Sequence, residues 1–302
     1  MDGQLPQPSI GTPTADVAID LALVGALLSE QHPDLAQLPL REVDAGWDNA
    51  LFRLGDRLAV RLPRRAAAAA LVAHEQQWLP RLEAQLALPI PVPVRRGVPA
   101  HGYPWRWSVV PWLPGISADL DEPRAPQAER LAEFLCSLHV PASADAPTNP
   151  YRGVPLRQRA SAAHVRLRRL RGKTDLITPA VTRIWHEALD APLDVASTWL
   201  HGDLHPRNVL VEQGVISGII DWGDLTAGDR ATDLASIWML FADGEARQAA
   251  LAAYAKLSAA TLQRAKGWAI LFGSIFVDTG LVDNPRMVVI GARTLRRVVE
   301  PL

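Results

Sequence analysis

Apolar residues recur over residues 16–30 at Val17, Leu21, Val24 and Leu28, the spacing of one helix face, and Pro33 closes the segment. From residue 40 the pattern changes. Short runs at 40–43, 51–54 and 58–62 read as strands, punctuated by Gly46 and by Gly55-Asp56, a turn pair. Helical spacing returns over 66–86, where Leu71, Glu75, Trp78, Leu79 and Leu82 share a face. Pro89, Pro91, Pro93 and Pro99 then break the chain. Strand-like runs at 92–95 and 103–110 lead to Pro111-Trp112-Leu113-Pro114-Gly115, a linker by composition. Beyond residue 125 helix dominates: Leu131, Phe134, Leu135 and Leu138 follow the rule, and Leu234, Ile237, Trp238 and Phe241 repeat it. The exception is 208–221, where 208–212 and 215–220 form a hairpin pattern around Gln213-Gly214.

These elements predict an α+β chain. A loose tail (1–15) precedes a small sheet-plus-helix lobe (16–110), a hinge (111–115) and a larger, mainly helical lobe (116–302). A length of 302 residues suits one large or two ordinary domains, and 48% hydrophobic with 21% charged residues suits a soluble globular protein. A net charge of −1 gives no bulk attraction to nucleic acid or anionic membrane. Cys136 is the single cysteine, so no internal disulfide framework or thiolate metal site is expected. No run approaches the roughly 20 apolar residues of a membrane span, and the polar first fifteen residues do not read as a signal peptide. A cytoplasmic protein, monomer or homodimer, is the expectation.

The densest chemistry lies at His201-Gly202-Asp203-Leu204-His205-Pro206-Arg207-Asn208, followed by Ile219-Ile220-Asp221-Trp222-Gly223-Asp224. The hairpin folds Asp221 back near Asn208, and two oxygen ligands from neighbouring strand ends suit magnesium. Asp203 lies upstream in a loop, free to face an acceptor hydroxyl, so the spacing points to phosphoryl transfer.

The run resembles the catalytic and metal-binding loops of the aminoglycoside phosphotransferase and choline-kinase-like family, relatives of the protein kinases. Their usual form is His-Gly-Asp-x-x-x-x-Asn followed by Ile-Asp-x-x-x. The resemblance implies a bilobal protein-kinase-like fold with a nucleotide-binding small lobe. It also implies transfer of the γ-phosphoryl group of ATP or GTP to a hydroxyl. Asp203 would be the catalytic base, and Asn208 and Asp221 would bind magnesium. His201 would support the loop, and Asp233 would hold it by hydrogen bonds. Asp224 and Asp229 would line the acceptor site, though Asp229 suits a helix cap equally.

The family's small-lobe lysine has no counterpart, because only Lys173, Lys256 and Lys266 are lysines. Arg61 takes its place, with Glu75 on the next helix as partner, and its planar fork can bridge phosphate and carboxylate. Arg61-Leu62-Pro63-Arg64-Arg65 is similar to the Arg-x-Pro-Arg-Arg of macrolide-phosphorylating relatives. Gly46, Trp47, Asp48 and Asn49 occupy the loop over the nucleotide phosphates, where backbone N–H groups would face phosphate. Backbone groups of Val110 and Trp112 would meet the adenine ring.

An aminoglycoside leads as acceptor, since Asp224, Asp229, Asp278 and Asp283 can supply carboxylates to a cation. A macrolide, or a metabolite such as choline, homoserine or fructosamine, stays open. So does a non-catalytic nucleotide-binding role.

Overall fold

The computed structural model describes residues 13–254 and 257–301. Most of the expected tail therefore lies outside the described residues. The first helix, α1 (Leu21–Gln31), starts later than the apolar spacing suggests, because Asp20 caps it by accepting from Leu23 N–H at 2.8 Å. The small lobe continues with β1 (Leu40–Ala45), β2 (Asn49–Leu54), β3 (Leu58–Pro63), α2 (Ala66–Leu82), β4 (Arg95–Gly97) and β5 (Trp107–Pro111). The expected strands at 92–95 and 103–110 are thus shifted toward the C-terminus and shorter.

The five strands form one antiparallel sheet in the order β1-β2-β3-β5-β4. Phe52, Val60, Leu62, Trp107 and Val109 pack against Val24, Leu27 and Leu28 of α1 as its core. The sheet's central strand, β3, carries Arg61 opposite Leu51 and Ser108. The far end of α2 leaves this lobe. Trp78, Leu79 and Leu82 belong to the larger core, and Trp78 meets Trp199 with ring centroids 4.8 Å apart.

The larger lobe begins at β6 (Ile116–Ser117), followed by α3 (Gln127–Leu138), α4 (Ala160–Arg171), α5 (Pro179–Asp190), β7 (Thr198–Leu200), β8 (Val209–Glu212), β9 (Val215–Ile219) and β10 (Thr226–Gly228). It closes with α6 (Ala231–Leu234), α7 (Ser236–Leu240), α8 (Gly244–Ala253), α9 (Ala259–Asp283) and α10 (Pro285–Arg297). The hairpin β8–β9 turns at Gln213-Gly214, both with positive φ, and β6 adds a third strand to it. A second small pair, β7 with β10, was not legible in the apolar pattern; both strands are only three residues long.

Helix α9 runs through the lobe against α4, α5, α6 and α10. Its 25 residues are long and apolar enough to cross a membrane, which the sequence reading did not register, but 72% of its most apolar window is buried inside the protein. Helices α9 and α10 meet at glycines. A Cβ added at Gly291 would lie 2.5 Å from the Gly273 carbonyl oxygen and 2.8 Å from the Val277 amide nitrogen. Backbone cannot swing aside as a side chain can, so Gly291→Ala must part the helices. We expect a net loss of about 1–2 kcal/mol, overpacking outweighing alanine's better helix propensity. A lowered urea midpoint with an unchanged slope would show it; wild-type stability would mean the crossing is plastic.

Candidate active site

The hairpin β8–β9 brings the ends of two segments together. Ile220 donates its N–H to the Asn208 carbonyl at 2.9 Å, which sets Asp221 beside Asn208. The loop just upstream is pinned from below by Asp233, fully buried, which accepts from the N–H groups of His201 at 2.7 Å and Gly202 at 2.9 Å. The His201 ring ties loop to hairpin: Nε2 donates to the Ile220 carbonyl at 3.0 Å, and Nδ1 accepts from Asp203 N–H at 3.2 Å. Burial lowers the pKa of this ring against the pull of Asp233. With both nitrogens engaged, His201 is a neutral strut. Gly202 sits at φ +85°, and a Cβ there would run into the Asp224 backbone, so glycine alone fits.

Asp203 faces the cleft. Arg152 Nη2 donates to its Oδ1 at 2.7 Å, and His205 Nε2 lies 3.3 Å from its Oδ2. Burial pushes the carboxyl's pKa up, but Arg152 and His205 outweigh it and hold the group well below the usual carboxylate range. Asp203 is therefore ionised and able to accept a hydrogen bond from a hydroxyl. Asn208 gives its amide N–H to the Asp203 carbonyl at 2.9 Å, leaving its side-chain oxygen for a ligand.

Asp221 stands in the left-handed region at φ +61° with its side chain half exposed. One of its oxygens accepts from Arg61 Nη2 at 2.9 Å. The Asn208 and Asp221 oxygens form a hard donor pair from adjacent strand ends, open on one side, and fit magnesium shared with phosphate oxygens.

Arg61 spans the lobes. Its Nη1 donates to both Glu75 carboxylate oxygens at 2.9 Å, while Nη2 reaches Asp221. Burial opposes its charge, but Glu75 and then Asp221 hold it firmly protonated. A lysine ammonium is a compact point charge; the guanidinium fork reaches two carboxylates at once.

The loop over the cleft departs from the expected phosphate cradle. Gly46 N–H is closed onto the Asn49 carbonyl at 2.9 Å, and the Gly46 carbonyl accepts from Arg64 at 2.7 Å. Asp48 pairs with Arg65. Burial raises the Asp48 pKa, Arg65 lowers it, and Asp221 and Asp203 lie close enough to raise it further. The loop is thus folded toward Asp221 and Asp203 and fastened by arginines. Trp47 is exposed.

The hinge also differs. Val110 pairs with Ala59 in the sheet, and Trp112 N–H is donated to the Arg57 carbonyl at 2.7 Å. Neither the ladder position nor that donor is open to a purine as expected. The Trp112 ring instead lies 4.0 Å beneath Arg53.

The acceptor carboxylates need the largest correction. Asp229 is buried and bound through both oxygens by Arg264, at 2.7 and 3.1 Å, and it also accepts from Ala231 N–H. It holds the start of α6 against α9 and does not line the cleft. Asp278 is gripped by Arg169 and lies 3.6 Å from Arg166. Asp224 stays at the cleft, where Asn149 donates to it at 2.6 Å and Arg152 Nε lies 3.7 Å away. Burial pushes the Asp224 carboxyl up to about 6, with Arg152 pulling it down and Asp203 pushing it further up.

Asn149 and Arg152 escaped the sequence reading. They lie between helices in a Pro- and Gly-flanked stretch, Asn149-Pro150-Tyr151-Arg152-Gly153, with no spacing that ties them to residue 203. The one local signal is Gly153 at φ +68°, whose Cα packs beside Gly228 and so seats the segment on β10.

A family model described as the phosphotransferase enzyme family, APH, matches residues 39–268. Uncharacterized protein YcbJ of Bacillus subtilis (strain 168) is 25% identical over 231 residues, which is 71% of this chain and 73% of that protein. The GDP complex of wild-type aminoglycoside 2'-phosphotransferase-IIIa superposes with a TM-score of 0.67 at 17% identity, covering 93% of this chain and 99% of that one. The apoenzyme of macrolide 2'-phosphotransferase MphH from Brachybacterium faecium does so with a TM-score of 0.60 at 22% identity, covering 91% and 97%.

Asp224 also makes the site pH-sensitive. Its native pKa lies above the ordinary 3.8, so its stabilising contribution is complete below about pH 4 and is lost as pH rises through about 6. Asp224→Asn mimics the protonated group. We expect unchanged stability at pH 4 and a gain of about 1–2 kcal/mol at pH 8, below the full linkage value because the side chain keeps some hydration. Urea melts across that range test this; a wild-type pH slope in the variant would place the raised group elsewhere.

Proposed function

The chain belongs to the APH phosphotransferase enzyme family, and from that premise we propose that it transfers the γ-phosphoryl group of ATP or GTP to a hydroxyl of a small molecule. The observation that carries this is the convergence of ionised Asp203, Asn208, Asp221 and the Arg61–Glu75 pair at one cleft between the lobes.

Arg61 binds the nucleotide phosphates from above while Glu75 holds its fork in place. Asn208 and Asp221 hold magnesium, which when bound neutralises phosphate charge. Asp203 accepts a hydrogen bond from the acceptor hydroxyl and aims its oxygen at the γ-phosphorus. As the new P–O bond forms and the bond to the β-phosphate oxygen breaks, the hydroxyl proton passes to Asp203 and the nucleoside diphosphate leaves. A carboxylate of low pKa is a weak base, so its work is orientation early and proton acceptance late, once the attacking oxygen has become acidic. Arg152 must shift from Asp203 Oδ1, or share it, for a hydroxyl to enter. A polycationic aminoglycoside gains little from this cleft, because Asp229 and Asp278 already carry arginine partners. The acceptor is therefore read no more finely at this stage than as a small-molecule alcohol.

Acceptor-stimulated release of ADP or GDP, screened over hydroxyl compounds of each charge type, tests the activity. A protein that neither binds Mg-nucleotide nor releases diphosphate with any acceptor would refute it. Asp203→Asn should lower turnover by about 10²–10⁴-fold while Mg-nucleotide binding persists; wild-type turnover would remove Asp203 as base. Arg61→Met should raise the nucleotide KM at least tenfold. It should also destabilise the fold by about 3–5 kcal/mol, because Glu75 is left buried and unpaired. Adding Glu75→Gln should recover stability but not nucleotide KM. If the KM never changes, another group grips the phosphates.

A further inference from the structure

Arg152 borders Asp203, and Arg159 at the start of α4 and Arg166 within it carry further guanidinium groups with nitrogen atoms to spare. Arg152 Nε, Arg159 Nε and Arg166 Nη1 are each buried and have no hydrogen-bond partner. Arg152 leans on Phe272 of α9, its guanidinium carbon 4.8 Å from the ring centroid. Arg159 lies 4.9 Å over Tyr151 and makes no carboxylate pair among the described residues. Arg166, on α4, has only a share of Asp278, which Arg169 grips more closely.

The three charges feel one another. Burial, then Arg152 and Arg166, bring the Arg159 pKa down to about 10, and burial lowers Arg166 against the pull of Asp278. Arg152 is answered by Asp203 and, at 3.7 Å, by Asp224, and Arg166 shares Asp278, but Arg159 has no carboxylate pair among the described residues. Unmet buried donors of this kind are rare, because each forfeits its hydration without a return. Guanidinium forks match the geometry of carboxylate and phosphate oxyanions.

We propose that the acceptor carries an oxyanion, a carboxylate or a phosphate, bound by Arg152, Arg159 and Arg166 while its hydroxyl meets Asp203. This rests on the phosphotransferase reading and adds the substrate's charge to it. It also explains the Arg152–Asp203 pair. An arriving oxyanion draws Arg152 away from Oδ1, and that oxygen becomes available to the hydroxyl. An alcohol without the anion leaves the base ion-paired, so acceptor charge and base access are coupled.

The test needs no knowledge of the acceptor. Thermal unfolding is followed while sodium sulfate replaces sodium chloride at constant ionic strength, with magnesium and a non-hydrolysable ATP analogue kept saturating. Wild type should show saturable stabilisation by sulfate beyond chloride. Arg159→Gln should weaken it about tenfold or more, and this change strands no buried carboxylate. Its preserved response to the ATP analogue reports an intact fold, and Arg166→Gln provides a second variant. Parallel titrations with inorganic phosphate and malonate separate a phosphate from a carboxylate preference. The proposal is overturned if sulfate acts no better than chloride, or if both variants respond like wild type. It is equally overturned if the analogue abolishes the sulfate effect, since the arginines would then serve the nucleotide. No response to the nucleotide analogue itself would overturn the phosphotransferase reading as well. A nucleotide response without a sulfate response would overturn only the anionic acceptor.

Discussion

The site depends on one guanidinium. Arg61 projects from the central strand of the small lobe, grips Glu75 on α2 and reaches Asp221 at the end of the large-lobe hairpin. Two consecutive elements of the small lobe and the distant end of the large-lobe hairpin are thereby fixed relative to one another. A buried pair of this kind contributes modestly as a pair, but loss of one partner is severe, because the other charge then remains in a poor solvent. Asp221 is the exception within the triad: it is half exposed and in a left-handed conformation, whereas Arg61 and Glu75 are buried. Positioning and function thus meet in the same hydrogen bonds.

Below that bridge, the catalytic loop is held by groups that never face the cleft. Asp233 collects two successive N–H groups, and His201 clamps loop to hairpin. Such contacts are backbone-directed, so they set where Asp203 points. What sets Asp203's charge comes from elsewhere, chiefly Arg152 on the segment before α4. Asp224, a neighbour in the same cleft, has the opposite fate: burial dominates and its pKa is raised. Two adjacent carboxylates are driven apart in pKa by how Arg152 is shared, closely with Asp203 and distantly with Asp224. The arginines beyond Arg152 extend the same positive wall along α4. Its charge suits an anionic acceptor better than the cation that four scattered aspartates first suggested.

Local pattern was enough for the features that need only neighbours in sequence. The Asp203, Asn208 and Asp221 spacing and the hairpin around Gln213-Gly214 could both be read from the chain. Each is a statement about residue types at short separation, and strand and helix periods carry them. Element ends were less legible. Asp20 delays α1 through a cap, and the short pair β7–β10 has too few residues to show a period. The apolar length of α9 carried no message about membranes, because a buried core helix and a membrane helix share a composition.

Tertiary structure alone decided which charges remain available. From sequence, Asp224, Asp278 and Asp229 (also a helix-cap candidate) all offered carboxylates; in the fold, Asn149 and Arg152 attend the first, Arg169 takes the second and Arg264 the third. The Trp112 amide likewise showed no partner in the sequence and is closed onto the Arg57 carbonyl in space. The reason is physical. Residue type states what a group can donate or accept, but its partner is chosen by chain segments tens to more than a hundred positions away, and no local period records that choice. The sequence by itself determined which residue types stand at short spacing along the chain; the packing of α4, α9 and the 149–153 segment around Asp203 and Asp224 determined which of those charges are partnered.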